Sequence, residues 1–413
     1  MIQRLSGRSL RRRICQSISL LLCISLFHHS VAAQSLPARP ALLREIDEKM
    51  GRVQRFLTER KLSGLLLARV NNVAWLTAGL GDSHILLTSE TGPASLLILR
   101  DGRRFVVGPK TETDHLLDEG LGELGYQPLA YNWYDPPSRM PDLVADVAGG
   151  QAVGSDTPME GFTPVQEAFA PLRYQLTDPE VEKYRWVCRQ ASEAVAQVCR
   201  TIRPGMTERQ IEALTAGELQ RRGLQPTVVL IGVDDRLQRF YHYPPTDKKL
   251  ERHAFVNVCA RRWGLVTSVG RYVHFGPVPE PIRRAMRASA TIGARMLAAT
   301  KAGARAGAIF RLAQRSYAEL GYPDQWQRIH SGGAIGYAER EWVATETSTE
   351  PVLPRQAFAW NPFTPAALSF DTVWLRPDNS LENLTALPNW PTLLVQADGQ
   401  TFSMPDILVR RVP

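Results

Sequence analysis

The stretches IRPGMTERQIEALTAGELQRRG, residues 202–223, and TKAGARAGAIFRLAQRSYAELG, residues 300–321, repeat one pattern 98 positions apart. Each copy has a basic residue, a glycine turn, an amphipathic helix and a closing glycine. The matching glycines are Gly205 with Gly303 and Gly223 with Gly321. Because each copy follows a longer helical pattern and precedes strand-rich sequence, the duplication predicts two αα plus sheet halves related by a pseudo-twofold axis. The junction between such halves is a common place for a ligand site.

The residues before the duplication alternate between helical and strand patterns. Residues 41–60 carry apolar side chains at helical spacing, and a buried strand pattern and a hairpin about Asp101-Gly102 follow. The sequence therefore predicts an α/β domain over residues 34–174 and a second domain over residues 175–413, which makes the fold class α+β. Asp178 is predicted to cap the first helix of the second domain, with Pro179 at its first position.

The first 33 residues have the parts of a secretory signal. A basic segment with three consecutive arginines precedes the apolar run ICQSISLLLCISLF, and Val31-Ala32-Ala33 is typical of a cleavage site. We therefore expect export across the inner membrane into a bacterial periplasm. No later segment reaches the roughly 18–20 apolar residues needed for a membrane span.

Composition excludes some partners. The chain has 413 residues, of which 44% are apolar and 22% charged, which is typical of a globular protein. Removal of residues 1–33 takes away five arginines and lowers the formal net charge from +8 to +3. A basic mature surface that would predict a nucleic-acid partner is therefore not expected.

The stretch HAFVNVCARRWGLVTSVGRYVHFG, residues 253–276, reads as two buried strands joined by a basic turn, yet it contains no Asp or Glu. With DPEVEKYRWVCRQASEAV, RPGMTERQIE, YHYPPTDKKL, GGAIGY, LPRQAFAWNP and DTVWL, it resembles the pita-bread fold of methionine aminopeptidase, aminopeptidase P, prolidase and creatinase. The resemblance runs from about residue 42 to residue 411, and residues 34–174 resemble the N-terminal domain of the last three. It implies a hydrolase that acts on peptide-like C–N bonds.

The resemblance also implies where two metal ions would be held, because metallopeptidases of this kind use two Asp, one His and two Glu. In this chain the five positions are Asn257, Ser268, Gly333, Asn361 and Phe370. Asn257 and Ser268 keep the eleven-residue spacing of the two Asp, and Asn361 still precedes a proline. Neutral side chains do not offset the charge of hard cations, so we expect no metal and no other cofactor.

Creatinase, which works without metal, implies a role for His242 in YHYPPT as an acid/base near neutral pH. The other interpretation of His242 is a loop histidine held by backbone. His330 is a second catalytic candidate or a histidine without a role, and Glu341 is either a base or a structural partner of an arginine. Ligand contacts are predicted for Asn257, Ser268, Arg271, Asn361 and Arg340, since arginine binds carboxylates bidentately. Cys259 is interpreted as a buried structural thiol in preference to a nucleophile.

Three functions remain open from the sequence. The first is a metal-independent hydrolase, or related lyase, for a small amide, amidine or peptide-like compound, with His242 as acid/base. The second is a catalytically inactive protein that binds a peptide or small molecule in the same cleft. The third is a conventional metallo-aminopeptidase, which the five replaced ligands disfavour. The resemblance makes a homodimer plausible, and the substrate stays open.

Overall fold

A computed structural model describes residues 38–412, so the predicted signal segment lies outside the described residues. Within residues 38–412, no helix is both long enough and apolar enough to cross a membrane. The mixed architecture confirms the predicted α+β class.

The N-terminal half is a six-stranded mixed sheet with helices against it, in strand order β4-β3-β2-β1-β5-β6. Its strands are β1 Gly64–Arg69, β2 Thr91–Leu99, β3 Arg104–Pro109, β4 Tyr126–Tyr131, β5 Val153–Ser155 and β6 Thr163–Pro164. Its helices are α1 Arg39–Glu59, α2 Val70–Leu76, α3 Lys110–Leu116, α4 Arg139–Val147 and α5 Gln166–Phe169. The predicted hairpin is present, because β2 pairs antiparallel with β3 and Gly102 takes φ +97° in the turn between them.

The C-terminal half contains two helix pairs and two main sheets. Its helices are α6 Asp178–Thr201, α7 Glu208–Arg221, α8 Arg236–Arg239, α9 Glu280–Ala299 and α10 Ala306–Glu319. Its strands are β7 Gln225–Val233, β8 His253–Arg262, β9 Leu265–Phe275, β10 Gly332–Ile335, β11 Trp342–Val343, β12 Ala357–Trp360, β13 Thr372–Leu375, β14 Leu381–Asn383, β15 Thr392–Ala397, β16 Gln400–Pro405 and β17 Leu408–Arg410. One sheet has the order β17-β9-β8-β7 and the other β11-β10-β12-β13-β14, while β15 and β16 form a separate hairpin.

The repeat seen in the sequence is a repeat in the structure. The shorter helices α7 and α10 begin and end at positions 98 residues apart, and each follows the longer helix of its pair. The glycine before each takes a left-handed conformation, φ +89° at Gly205 and φ +86° at Gly303. These backbone angles explain why both copies carry glycine there, since a Cβ would strain the turn.

The cap of α6 lies one residue earlier than predicted. The Thr177 hydroxyl accepts from the Glu180 N–H at 3.4 Å, and the Glu180 carboxylate accepts from the Thr177 N–H at 2.7 Å. This reciprocal capping box satisfies two backbone donors, whereas Asp178 as cap would satisfy one, so Asp178 and Pro179 become the first two helical residues.

A buried charge network joins the N-terminal half to the C-terminal half. Lys49 on α1 binds Glu45 at 2.6 Å and Glu180 on α6 at 2.8 Å, and Lys183 binds Glu45 at 2.9 Å. The Tyr337 hydroxyl donates to Glu180 at 2.7 Å. Since Tyr337 lies in the loop that follows β10, the network anchors that loop to both halves of the molecule.

Candidate functional site

The two sheets bring the five ligand positions implied by the resemblance to one region. In the β8–β9 hairpin, Asn257 lies opposite Gly270 and Cys259 opposite Ser268. Asn257 and Cys259 point to the same face, because side chains two residues apart on a strand share a face. The Thr372 hydroxyl on β13 joins the second sheet to this hairpin, accepting from the Ser268 N–H at 3.2 Å and donating to the Ser268 carbonyl at 2.8 Å.

The second sheet supplies the other three positions. Gly333 on β10 pairs with Ala359 on β12, and Ala359 pairs in turn with Thr372 on β13. Thr372 lies two residues after Phe370 in the sequence. The Asn361 N–H donates to the Ser331 carbonyl at 2.8 Å, which holds the end of β12 against the start of β10. The strand pairing therefore assembles positions that are more than 100 residues apart in sequence.

Phe370 fills space beside this hairpin with an apolar ring. A Cβ on Gly270 would lie 2.7 Å from the ring of Phe255 and 2.9 Å from the ring of Phe370, so both rings pack against the backbone opposite Asn257. The Phe370 side chain is 2% exposed. A carboxylate in place of the Phe370 ring would lie against the Phe255 ring, and an unpaired charge is costly to bury.

The residues present do not fit a metal centre of the kind that the fold family implies. Within residues 38–412, no group of three or more His, Cys, Asp or Glu side chains is arranged to hold a metal ion. The Oδ1 atoms of Asn257 and Asn361 are buried and lack a hydrogen-bond partner among the described residues. They are neutral amide oxygens, and hard divalent cations in proteins are neutralised by carboxylates. Burial raises the pKa of the Cys259 thiol, which disfavours the thiolate that a metal would need.

Arg271 is committed to the core. Its Nη2 binds the Asp371 carboxylate at 2.6 Å and the Thr385 carbonyl at 2.9 Å, and its Nη1 donates to the carbonyl oxygens of Gly270 and Phe370 at 2.9 and 3.3 Å. Arg271 is 2% exposed. The predicted ligand contact of Arg271 is thus replaced by contacts that lock β9 to the strand after Phe370. Ser268, another predicted ligand contact, is 3% exposed and held by Thr372.

Glu341 is also engaged by an arginine. Its carboxylate accepts from Arg173 Nε at 3.1 and 2.9 Å and from Arg173 Nη2 at 2.6 Å, and it accepts from the Tyr337 N–H at 2.9 Å. The two side chains are 4% and 1% exposed. Of the two sequence interpretations of Glu341, this geometry favours the structural one, because the carboxylate is fully bonded within the protein.

His242 lies on a loop whose neighbours anchor it. Tyr241 and Tyr243 on either side are buried, and the Tyr243 carbonyl accepts from the Ile231 N–H on β7 at 3.1 Å. The alternation of buried and exposed side chains leaves His242 exposed to solvent.

His330 lies close to both His242 and Arg340. Burial, followed by electrostatic interaction with Arg340 and His242, lowers the pKa of His330 to about 4. The imidazole is therefore neutral at physiological pH. Its Nδ1 accepts from the Gly332 N–H at 3.2 Å, which places the ring proton on Nε2 as a hydrogen-bond donor. His330, His242 and Arg340, three of the residues singled out in the sequence, thus interact electrostatically.

A polar cleft of about 640 Å³ lies between the two halves. The N-terminal half contributes Arg69, His84, Glu90 and Arg173, and the C-terminal half contributes Arg261, Glu339, Arg340 and Glu341. Sequence reasoning missed Arg69, His84 and Arg173, because nothing local in the N-terminal half indicates which of its side chains face the other half.

Comparisons with known proteins agree with this architecture. The model of metallopeptidase family M24 matches residues 182–377. Dipeptidase PepE from Mycobacterium ulcerans is 18% identical with a TM-score of 0.71, and the match covers 89% of this chain and 99% of that one. An X-Pro aminopeptidase from Thermotoga maritima is 16% identical with a TM-score of 0.69, over 87% of this chain and 99% of that one.

A prolidase from Pyrococcus furiosus is 17% identical with a TM-score of 0.65, over 81% of this chain and 100% of that one. No curated protein sequence gives a significant match. At such identities the likeness concerns the fold.

Proposed function

We propose that this chain, which has the pita-bread fold, is a peptidase-like hydrolase of a small amide, amidine or peptide-like compound and works without a metal ion. The observations that support the proposal are the electrostatic interaction of His330 with His242 and Arg340, and the buried amide oxygens of Asn257 and Asn361, which lack a hydrogen-bond partner among the described residues. Polar groups that converge in a cleft without protein partners are typical of a substrate site.

Each member of the cluster has a defined task. The Nε2–H of neutral His330 donates to the carbonyl oxygen of the substrate, and the Arg340 guanidinium stabilises the negative charge that develops there. His242 takes a proton from the attacking water and delivers it to the leaving nitrogen. One C–O bond forms and one C–N bond breaks, and the proton that leaves water ends on the departing amine.

A metal ion is not part of this proposal, because the residues at the implied ligand positions do not match the charge of one. Asn257, Ser268, Gly333, Asn361 and Phe370 together carry no negative charge. No step is therefore assigned to a bound cation, and the third function, a conventional metallo-aminopeptidase, has no ligand set to support it.

A second candidate function is ligand binding without turnover. This function is favoured because the carboxylates of Glu341 and Asp371 are both held in buried ion pairs and are not free to act as a base. A metal-free hydrolase more often has a carboxylate to orient or assist its base. The Phe370 ring, packed where an acid of the family would lie, points the same way.

The first experiment combines elemental analysis with turnover. The purified protein is analysed for Mn, Co and Zn before and after incubation with their salts, and is assayed against a panel of dipeptides and small amides. We expect turnover without stoichiometric metal, abolished in His242→Ala and retained in His115→Ala, because His115 is exposed and does not line the cleft.

The two candidates and the metal alternative give different results. Stoichiometric tight metal would restore the metallo-aminopeptidase. Unchanged kinetics in His242→Ala would refute the role of His242. Ligand binding without any turnover would support the second candidate.

Export is proposed on the N-terminal segment alone. Expression of the full chain in a Gram-negative host, with N-terminal sequencing of the periplasmic fraction, tests it. We expect a new N-terminus after Ala33, and an intact cytoplasmic chain would contradict export.

A further inference from the structure

Strand β7 is an open edge of the sheet β17-β9-β8-β7, because only β8 pairs with it. Residues 225–230 of β7 are half-buried, whereas residues 231–233 are buried. The loop that carries His242 causes this difference, because the Tyr243 carbonyl accepts from the Ile231 N–H at 3.1 Å and covers that part of the edge. Among residues 38–412, no backbone group outside the sheet bonds to residues 225–230.

The hydrogen bond of Ile231 fixes the direction of the backbone groups of Val229. Opposite residues of an antiparallel pair are alternately hydrogen-bonded to each other and not. Since the Ile231 N–H points away from β8, Leu230 is the residue that exchanges hydrogen bonds with its partner Asn257 on β8. The N–H and C=O of Val229 point away from β8, as those of Ile231 do. Val229 therefore presents one donor and one acceptor at the open edge.

This edge lacks most of the features by which proteins prevent a strand from pairing with another chain. Those features are charged side chains, prolines and irregular pairing. Pro226 and a shift of register between Pro226 and Val228 protect the start of β7, but the strand contains no charged residue. The stretch Val-Val-Leu, residues 228–230, has a high preference for extended structure. Several peptide-binding domains use an edge of this kind to bind an extended ligand.

The position of the edge connects the cleft between the two halves to His242. Thr227, two residues before Val229, lines this cleft of about 640 Å³. Ile231, two residues after Val229, is covered by the loop that carries His242. At a rise of about 3.3 Å per residue, Val229 lies about 7 Å along the strand from each of them. A strand added at Val229 would thus lie between the cleft and the His242 loop.

We propose that an extended peptide binds to the edge of β7 through main-chain hydrogen bonds to Val229. The proposal rests on the proposed function, because it makes the substrate of the hydrolase a peptide with free main-chain amides and places that peptide beside His242. A second copy of this chain, paired edge to edge, is the other occupant that such a strand could take. The continuity of the edge with the cleft and with the His242 loop favours the peptide.

The test is isothermal titration of the full chain with acetyl-Ala-Ala-Ala-amide and with three analogues, each N-methylated at one alanine. Successive residues of a strand direct their N–H groups to opposite sides, so methylation should weaken binding at alternate residues only. We expect a loss of about tenfold or more at the middle alanine alone or at the two outer alanines alone, and less than about twofold at the remaining positions. All four peptides are neutral, so charge does not contribute to the differences.

Val229→Pro tests the same hydrogen bonds from the protein side. It removes an N–H that does not bond to β8, and proline is tolerated on edge strands at such positions. Binding of the unmethylated peptide is expected to weaken by about tenfold or more. Val229→Ala is the matched control, because it keeps the N–H, and its affinity should stay within about twofold of the parent. Circular dichroism establishes that each variant is folded, and the methylated peptides test the parent chain if Val229→Pro does not fold.

Four results would overturn the proposal: no binding of the unmethylated peptide, equal effects of methylation at all three alanines, unchanged affinity in folded Val229→Pro, or a dimer in light scattering that dissociates in Val229→Pro. The last result would assign the edge to a second copy of the chain.

The hydrolase is tested separately from the edge. His242→Ala is expected to lose turnover and to keep the alternating effect of methylation. Alternating peptide affinity without turnover in the parent would refute only the hydrolase. Turnover of small amides without binding of the peptide would refute only the peptide site.

Discussion

Replacement of Glu341 by glutamine distinguishes a structural carboxylate from a chemical one. The Glu341 side chain is 1% exposed and its partner Arg173 is 4% exposed, with the shortest contact at 2.6 Å. Glutamine keeps the size of the side chain but leaves Arg173 buried without its counter-ion. Breaking a buried ion pair from one side costs about 3–5 kcal/mol, so we expect the free energy of unfolding to fall by about that amount.

Urea denaturation followed by far-UV circular dichroism measures this change. With a slope of about 3 kcal/mol per molar urea, the midpoint should fall by about 1 M or more. Arg173→Gln should lower the midpoint to a similar extent, because it leaves the opposite charge unpaired. Glu123→Gln is the control: Glu123 pairs with Arg39 at the surface, 64% and 61% exposed, and such pairs contribute less than about 1 kcal/mol.

Two results would refute the reasoning. An unchanged urea midpoint in Glu341→Gln would mean that the pair does not stabilise the fold. Loss of turnover in Glu341→Gln, with turnover kept in the equally destabilised Arg173→Gln, would return Glu341 to the role of a catalytic base.

Three further predictions concern the core. Phe370→Ala should lower the free energy of unfolding by about 3–5 kcal/mol in the same urea assay, and Phe370→Leu by less; equal effects would contradict tight packing against Gly270. Burial lowers the pKa of His253 to about 4, so the unfolded chain binds this proton first and the free energy of unfolding should fall by up to about 3 kcal/mol between pH 6.5 and pH 4. His253→Asn should reduce this dependence of the free energy of unfolding on pH, measured by urea titration at each pH. An unaltered dependence would contradict the assignment to His253. Burial raises the pKa of Cys188 and Cys259, so a thiol reagent should label them only after addition of urea, and rapid labelling in the native state would place one at the surface.

Much of the architecture was predictable because it depends on local pattern. The repeat of glycines 98 residues apart predicted two equivalent helix pairs, and left-handed angles at Gly205 and Gly303 supply the reason. The one-residue error at the start of α6 arose because Asp178 and Thr177 are both good caps, and the side chain three residues after Thr177 completed the box.

The sequence by itself determined the fold class and the neutral residues at the five implied ligand positions, because periodicity, turn glycines and motif spacing are properties of neighbouring residues. Only the tertiary structure decided which charges meet. The side chain of Arg271 binds Asp371, which is 100 residues away in the sequence, and that of Arg173 binds Glu341, which is 168 residues away. The guanidinium of Arg261 contacts His84 across 177 residues. Such pairings depend on how sheets and halves pack against each other, and the free energy of a buried charge depends on its partners rather than on its sequence neighbours.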